Sequence, residues 1–272
     1  MSERIAFIGG GNMASAIIGG LIQQGAAQQQ FIVVEPAETA RAALHSQFGI
    51  QALAQADASL TQAALVVWAV KPQTFCDAAR ACAAHTVGAL HLSVAAGIRS
   101  DSMAQWLGTE RIVRAMPNTP ALIGLGVSGL FARAAVTAAD RQTVERIMAT
   151  TGQFLWLPSE DQLDAVTALS GSGPAYVFYF IEAMTTAGTE MGLSREQAQQ
   201  LAVGTFVGAS TLAERSSDPP QVLRQRVTSK GGTTHAAITE LENNDVRAIF
   251  IDAIYAARER ARALGDEFGR PA

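Results

Sequence analysis

The sequence lacks the features that mark several large classes of protein. Only Cys76 and Cys82 are cysteines among its 272 residues, too few for a disulfide framework. The net charge is −4 and there is no basic block, so we expect no nucleic-acid partner. The four histidines are scattered, without H-E-x-x-H or C-x-x-C spacing, so we expect no metal site.

Long apolar runs are also missing, although 49% of the residues are hydrophobic. The longest runs, such as residues 63–70, are far too short to cross a bilayer, so we expect no membrane partner. The first predicted strand begins within a few residues of Met1 and leaves no room for a signal peptide. We therefore expect a soluble, cytoplasmic protein with a substantial core.

The chain does contain, near its start, a glycine turn between a short apolar strand and a helix. Residues 5–8 predict a buried strand, and an apolar stripe over residues 13–21 predicts the helix. The pattern G-x-G-x-x-G/A is met by Gly9, Gly11 and Ala14. In a dinucleotide-binding turn these small residues allow a tight bend, approach of the pyrophosphate and helix packing. An ordinary glycine-rich turn is the alternative, but the flanking strand and helix favour a dinucleotide site.

Strand and helix patterns alternate from residue 4 to about 157, which is typical of a doubly wound sheet. From about residue 158 the pattern is helical, and residues 175–181 are apolar all round, which predicts a helix buried on most sides. We predict an α/β Rossmann-like dinucleotide-binding domain over residues 1–157. An all-α substrate-binding and dimerisation domain is predicted over residues 158–272.

Ligands of doubly wound sheets bind outside the carboxyl ends of the strands. Here the predicted ends carry small or polar residues. Glu35 follows the second strand, where an acid often binds the ribose diol of NAD; a solvated strand end before Pro36 is the alternative. The predicted cofactor contacts are Gly9, Gly10, Gly11, Asn12, Met13, Ala14, Glu35, Ala69, Val70, Lys71, Pro72, Ala95, Ala96 and Gly97.

Two polar, glycine-containing stretches stand apart in the helical half. Residues 227–238 indicate a glycine loop that feeds a helix, offering backbone N–H groups and hydroxyls to a small carboxylate. An ordinary capped helix start is the alternative. Residues 169–176 could be only a helix interruption where Gly171 and Gly173 permit close packing.

Together these stretches resemble the pyrroline-5-carboxylate reductases, which make L-proline from its cyclic imine. The resemblance covers essentially the whole chain. It implies NAD(P)H-dependent reduction of 1-pyrroline-5-carboxylate, the last step of proline biosynthesis, by hydride transfer to the imine carbon. NADPH is the implied cofactor, with NADH as the alternative. The matching stretches are residues 9–14, 69–72, 116–120, 169–176 and 228–238.

The resemblance also implies roles for individual residues. The loop Ser229–Thr234 would hold the substrate carboxylate, and the hydroxyl of Thr234 would lie near the ring nitrogen as the catalytic proton donor. Glu160 matches a substrate-side position. Because a cyclic imine is appreciably protonated near neutral pH, such a site mainly has to orient it against the nicotinamide. The implied substrate contacts are Glu160, Ser229, Gly231, Gly232, Thr233 and Thr234.

The chain departs from the family pattern at two positions that bear on the site. Lys230 stands where many members have proline, and Ala56 lies at or near a position where members often carry asparagine. The carboxylate of Glu35 would repel a 2′-phosphate, whereas Arg41 could attract one. The choice between NADP and NAD therefore stays open on the sequence.

The resemblance implies a homo-oligomer, because the family forms dimers through interlocked helical domains and many members assemble such dimers into decamers. One alternative is a β-hydroxyacid dehydrogenase or imine reductase with the same domain plan. Such hydroxyacid enzymes usually rely on a lysine of the helical domain, and Lys230 is the only lysine in that half. A less favoured alternative is a non-catalytic dinucleotide-binding protein, which would predict a degraded substrate loop.

Overall fold

The computed structural model describes residues 4–269. These residues form two compact units, the first made of residues 4–172 with 257–269 and the second of residues 173–256. The division predicted after residue 157 separates a dinucleotide-binding domain from a substrate-binding and dimerisation domain. This functional division stays a prediction. Within the described residues, no helix combines the length and apolar character that a bilayer crossing requires.

The first unit is built on a seven-stranded sheet whose strands are numbered along the chain. The strand order is β2-β1-β3-β4-β5-β6-β7. Neighbours from β2 to β5 are parallel, β6 is antiparallel to β5, and β7 is parallel to β6. The predicted doubly wound α/β sheet is thereby confirmed. The strands are β1 Arg4–Ile8, β2 Phe31–Val34, β3 Ala63–Trp68, β4 Leu90–Ser93, β5 Ile112–Met116, β6 Gly126–Ala132 and β7 Gly152–Trp156.

Helices cover both faces of this sheet. The helices of the first unit are α1 Asn12–Gln23, α2 Glu38–Phe48, α3 Pro72–Ala83, α4 Ser100–Leu107, α5 Ala138–Met148 and α6 Gln162–Val166. The second unit contains α7 Gly173–Glu190, α8 Arg195–Arg215, α9 Pro220–Arg226 and α10 Thr233–Asn243. The last helix, α11 Val246–Phe268, contributes residues to both units.

Two hydrophobic clusters lie on opposite faces of the sheet, because successive strand side chains point to opposite sides. Phe7 and Val67 belong to the cluster that includes Ile17 of α1. Their neighbours Ile8 and Trp68 belong to the cluster on the other face. Both faces of β1 and β3 are therefore buried, which explains why the sequence of these strands is apolar without alternation.

The helix predicted over residues 175–181 is present in α7, but the prediction that most of its sides are buried is wrong for the single chain. Phe178 and Tyr179 are 59% and 69% exposed. Within the second unit α7 packs against α8, and its Tyr176 and Phe180 rings contact Phe250 of α11. Two neighbouring helices cover only part of a helix that is apolar on every side.

The interruption predicted in residues 169–176 is a π-helical turn, Thr167–Gly171, just before α7. A Cβ on Gly171 would lie 2.6 Å from the Cε atom of Met116, so close packing is confirmed there. Gly173 has no such neighbour among the described residues, because a Cβ on it would meet no atom within 4 Å. The close-packing interpretation is therefore wrong at Gly173.

Because of the buried His91 in β4, we expect the fold to lose stability as the pH falls. Its side chain is buried, and its Nδ1 accepts a hydrogen bond of 3.1 Å from Nε1 of Trp68. Burial lowers the pKa of His91 to about 4, against 6.5 for an exposed histidine. The unfolded chain therefore binds this proton first as the pH falls. We expect the free energy of unfolding to drop by about 2 kcal/mol between pH 7 and pH 5 through this residue alone.

Urea unfolding at several pH values measures this loss. His91→Gln, whose side-chain oxygen can still accept from Trp68, is expected to flatten the dependence between pH 6.5 and pH 4. His45→Gln is the matched control, because His45 is exposed in α2. If the free energy of unfolding fell with pH as steeply in His91→Gln as in the wild type, His91 would not be the cause of the acid sensitivity.

Candidate active site

The carboxyl ends of β1 and β3 form the topological switch point of the sheet. From β1 the chain moves to β2 on one side and then crosses to β3 on the other. The N–H of Gly9 donates to the carbonyl of Val34 over 2.8 Å, and the N–H of Ala69 donates to the carbonyl of Ile8 over 2.8 Å. Doubly wound sheets bind dinucleotides in the crevice at this point.

The glycine turn between β1 and α1 needs its small residues for separate reasons. Gly9 has a φ of 95°, and a Cβ there would lie 2.4 Å from the carbonyl oxygen of Ala69. Gly11 precedes α1 without a side-chain cap, and a Cβ on it would meet no atom within 4 Å. Ala14 is fully buried in the core. The turn therefore leaves an open backbone and an uncapped helix N-terminus, which fit a pyrophosphate.

The carboxylate of Glu35 lies against this turn. Its Oε2 accepts the N–H of Gly10 over 2.8 Å, and its Oε1 accepts the N–H of Ala37 over 2.8 Å. Arg41 points to the same loop and donates to the carbonyls of Glu35 and Pro36 over 3.0 and 2.6 Å. An acid and a base therefore both stand at the carboxyl end of β2, where adenosine riboses bind in such sheets.

The loop Ala95–Gly97 continues the same edge beyond β4. β3 and β4 pair in parallel with Trp68 opposite Ser93, and the N–H of Val94 donates to the carbonyl of Trp68 over 3.0 Å. Gly97 has a φ of 70°. The first unit thus brings together four predicted cofactor segments, at the ends of β1, β2, β3 and β4.

Glu160 follows β7 and lies in a polar cluster inside the first unit. Its Oε1 accepts from the N–H of Ser100 and from Nη1 of Arg114, each over 2.6 Å. Its Oε2 accepts from the Ser100 hydroxyl, to which Arg133 also donates. Ser100 and Arg114 are buried, so this carboxylate is paired with donors that are shielded from solvent. Nearby, burial raises the pKa of Asp164.

The second unit holds the glycine loop Ser229–Gly232. The N–H of Gly232 donates to the carbonyl of Ser229 over 3.0 Å, and Gly231 has a φ of 76°. Gly232 then precedes α10 without a side-chain cap. This loop therefore ends in an uncapped helix N-terminus, which suits a carboxylate.

The polar side chains around this loop differ in their hydrogen bonding and in their exposure. The hydroxyl of Thr228 donates back to the carbonyl of Arg224 over 2.6 Å. Thr234 is half-buried in the first turn of α10, whereas Lys230 and His235 are exposed. The proton of the Thr228 hydroxyl is therefore already used in a hydrogen bond to α9.

Sequence reasoning missed the roles of three buried polar residues in the first unit. The side chain of Asn118 donates to the carbonyl of Ser170 over 3.2 Å and accepts from the N–H of Val127 over 2.9 Å. Asn118 thereby connects residues 116–120 with residues 169–176. Both stretches match the family, but neither of them was assigned a function from the sequence. Ser100 and Arg114 were also missed. The signal for Arg114 was a charge inside the apolar strand β5.

Two family models match the chain. The model described as "Pyrroline-5-carboxylate reductase dimerisation" matches residues 160–264. The model described as "NADP oxidoreductase coenzyme F420-dependent" matches residues 4–97, which contain the glycine turn.

Full-length relatives agree with these matches. The pyrroline-5-carboxylate reductase of Pseudomonas aeruginosa is 44% identical over 271 residues, covering 99% of each chain. The solved structure of a pyrroline-5-carboxylate reductase from Coxiella burnetii is 37% identical, with a TM-score of 0.88 over 97% of this chain and 99% of that one. The Plasmodium falciparum pyrroline carboxylate reductase with NADP bound is 28% identical, with a TM-score of 0.87 over 97% of this chain and 98% of that one. On this similarity, which spans both units, the chain belongs to the pyrroline-5-carboxylate reductase family.

Proposed function

We propose that this chain reduces 1-pyrroline-5-carboxylate to L-proline with NADPH as the hydride donor. The observation that carries the proposal is the 44% identity to a pyrroline-5-carboxylate reductase over 99% of both chains. The open glycine turn at the switch point of the sheet supports the cofactor. The uncapped start of α10 supports an anionic substrate.

The first unit supplies the cofactor site. NADPH, when bound, supplies the hydride. The N-terminus of α1 and the turn Gly9–Ala14 would hold the pyrophosphate, because their amides and the helix dipole attract an anion. The segments Ala69–Pro72 and Ala95–Gly97 line the same sheet edge further along. Glu35 stands at the ribose end.

The second unit supplies the substrate groups. The loop Ser229–Thr234 and the first amides of α10 hold the carboxylate of the imine. Hydride from the bound cofactor would add to the imine carbon, and the electron pair of the C=N π bond would pass to the ring nitrogen. The hydroxyl of Thr234 would donate a proton to that nitrogen when the imine binds unprotonated, and would regain a proton from solvent. Orientation does most of the catalytic work, because a protonated imine already accepts hydride.

The role of Glu160 as a substrate contact stays a prediction. Its two carboxylate oxygens already accept hydrogen bonds from Ser100 and Arg114. The substrate would therefore have to share a carboxylate that is committed to the first unit.

Self-association follows from the second unit. The matched dimerisation model covers residues 160–264, and α7 exposes large apolar side chains, Phe178 and Tyr179 among them. Monomeric soluble proteins rarely leave such a surface uncovered. We propose that two chains bury the exposed apolar faces of α7 in a dimer, and that dimers assemble further into a decamer. We also propose that the enzyme acts in the cytoplasm.

The activity is tested by following NADPH absorbance with purified protein and 1-pyrroline-5-carboxylate, together with detection of proline. Equal amounts of proline formed and NADPH consumed are expected. A β-hydroxyacid with NADP, and an acyclic imine with NADPH, are the comparison substrates. No proline with either NADPH or NADH would refute the proposal, and faster turnover of a comparison substrate would favour the related dehydrogenase or imine reductase.

Removing the charge of Glu35 is expected to shift cofactor choice towards NADPH. Its carboxylate is held at the end of β2 by the amides of Gly10 and Ala37. A carboxylate there attracts a ribose diol and repels a 2′-phosphate. For Glu35→Gln we expect the ratio of kcat/KM with NADPH to kcat/KM with NADH to rise about fivefold, the equivalent of about 1 kcal/mol of repulsion.

Steady-state kinetics with both cofactors measure this ratio. Glu38→Gln is the matched control, because it removes the same charge from the exposed start of α2. The control is expected to change the ratio by less than twofold. An unchanged or lower ratio in Glu35→Gln would show that this carboxylate does not face the adenosine ribose.

A further inference from the structure

Residues 97–102 connect the loop beyond β4 to the first turn of α4, and we call them the α4 entry. Two separate parts of the first unit contact this segment. One is Glu160, which comes from the chain after β7. The other is the C-terminal end of α11 together with the residue that follows it, residues 264–269. Neither part belongs to the sheet edge that carries the predicted cofactor segments.

Glu160 holds the α4 entry at Ser100. Its carboxylate accepts both the backbone N–H and the hydroxyl of Ser100, at the first residue of α4. A carboxylate at this end of a helix is favoured by the helix dipole and by the unsatisfied amides. Arg114 of β5 donates to the same carboxylate, and its side chain is only 9% exposed. This ion pair therefore links the start of α4 to the sheet.

The end of α11 holds the α4 entry at three points. A Cβ on Gly97 would lie 3.3 Å from the Cβ of Leu264, so α11 packs directly on the glycine of the loop. Nη2 of Arg99 donates to Asp266 over 3.0 Å. The hydroxyl of Ser102 donates to the carbonyl of Gly269 over 2.7 Å.

Between these contacts, Ile98 is fully buried, in a core cluster against which Phe268 also packs. Gly265 also allows close contact, since a Cβ on it would lie 3.3 Å from Nε of Arg99. The α4 entry is thus fixed on both sides.

We propose that Glu160 and the end of α11 are positioning elements that hold the loop Ala95–Gly97 in its cofactor-accepting geometry. The proposal rests on the proposed function, in which this loop contacts the nicotinamide cofactor. Gly97 adopts a left-handed φ of 70° with Leu264 against it, so contacts within the protein support the shape of the loop. A loop that is already ordered costs less to bind than one that has to be ordered on binding. Glu160 on this view acts on the cofactor through Ser100.

Three substitutions, two at Arg99 and one at Glu160, test the proposal by direct titration of NADPH fluorescence. Arg99→Ala removes the links to Asp266 and to Asp161, and Arg99→Lys restores the positive charge. We expect Arg99→Ala to raise the Kd for NADPH about two- to tenfold, the factor for ordering side chains on binding, and Arg99→Lys to stay within twofold of the wild type. Glu160→Gln is expected to raise the Kd about tenfold or more, because the buried Arg114 loses its ionic partner.

The matched control is Arg260→Ala, on α11, the helix that carries Asp266. Arg260 pairs with Glu267 over 3.5 Å, and both side chains are more than half exposed. The control is expected to keep the wild-type Kd. Exposed ion pairs contribute little to global stability, so thermal unfolding should scarcely separate Arg99→Ala from the control.

The KM for 1-pyrroline-5-carboxylate at saturating NADPH separates the two roles of Glu160. A positioning role predicts a raised Kd for NADPH with the substrate KM within twofold of wild type. A raised substrate KM with an unchanged Kd for NADPH would overturn the proposal, and so would a wild-type Kd in Arg99→Ala. If Glu160→Gln does not fold, the Arg99 variants decide. Wild-type protein that binds NADPH but forms no proline would refute the proposed function alone.

Discussion

Gly11→Ala is expected to weaken NADPH binding about 100-fold while the chain stays folded. A Cβ on Gly11 would meet no protein atom within 4 Å, and the residue has an ordinary φ of −76°. Alanine is a poorer residue than glycine before a helix, at a cost of about 1 kcal/mol or less. The new methyl group would instead stand where the backbone must approach the pyrophosphate. Titration of NADPH fluorescence measures the loss, and urea unfolding measures the stability.

Gly9→Ala is the informative comparison, because the same methyl group there meets the protein. A Cβ on Gly9 would lie 2.4 Å from the carbonyl oxygen of Ala69, and its φ of 95° strains any side chain. Gly9→Ala should therefore lose stability as well as binding. Gly88→Ala, whose Cβ would also meet no atom within 4 Å, should lose neither. Wild-type NADPH affinity in Gly11→Ala would mean that no pyrophosphate lies at this turn.

Thr234→Ala is expected to lower kcat about 100-fold with the Kd for NADPH unchanged. General acid–base groups contribute about 10²- to 10⁴-fold to rate, and a substrate that is partly protonated in solution places this residue at the lower end. Thr234 lies in the first turn of α10, directly after the glycine loop. Single-turnover reduction of 1-pyrroline-5-carboxylate measures the step itself. Because the proposed donor is a hydroxyl, Thr234→Ser should recover most of the rate.

His235→Ala and Thr228→Ala provide the controls on either side. His235 is exposed, and the Thr228 hydroxyl is bonded to the carbonyl of Arg224. Both should keep kcat within about twofold of the wild type. If Thr234→Ala retained wild-type kcat and pH dependence, the ring nitrogen would have to draw its proton from water or bind already protonated.

The sheet could be predicted because its pattern is local. Residues 5–8 and 65–68 are apolar without interruption, and β1 and β3 are buried on both faces of the sheet. The glycine turn was predictable for the same reason, since Gly9, Gly11 and Ala14 act within one strand-to-helix connection. Each pattern of this kind reports a constraint between residues close together in the chain.

The burial of α7 could not be predicted in the same way. An apolar run such as residues 175–181 states that the helix is covered, but not by which chain. The structure leaves Phe178 and Tyr179 exposed in the single chain. Hydrophobic burial has no direction and no chain identity, so a core residue and an interface residue have the same sequence signature.

The family and the class of reaction were thus determined by the sequence, because the glycine turn and the loop Ser229–Thr234 are short segments whose residue types carry the chemistry. Only the tertiary structure decided what Glu35 and Glu160 touch. Glu35 bonds Gly10, 25 residues away, and Glu160 bonds Ser100, 60 residues away. A carboxylate has the same chemistry wherever it stands in the chain. Its partners are set by the folding of distant segments onto one another, and no local pattern records that.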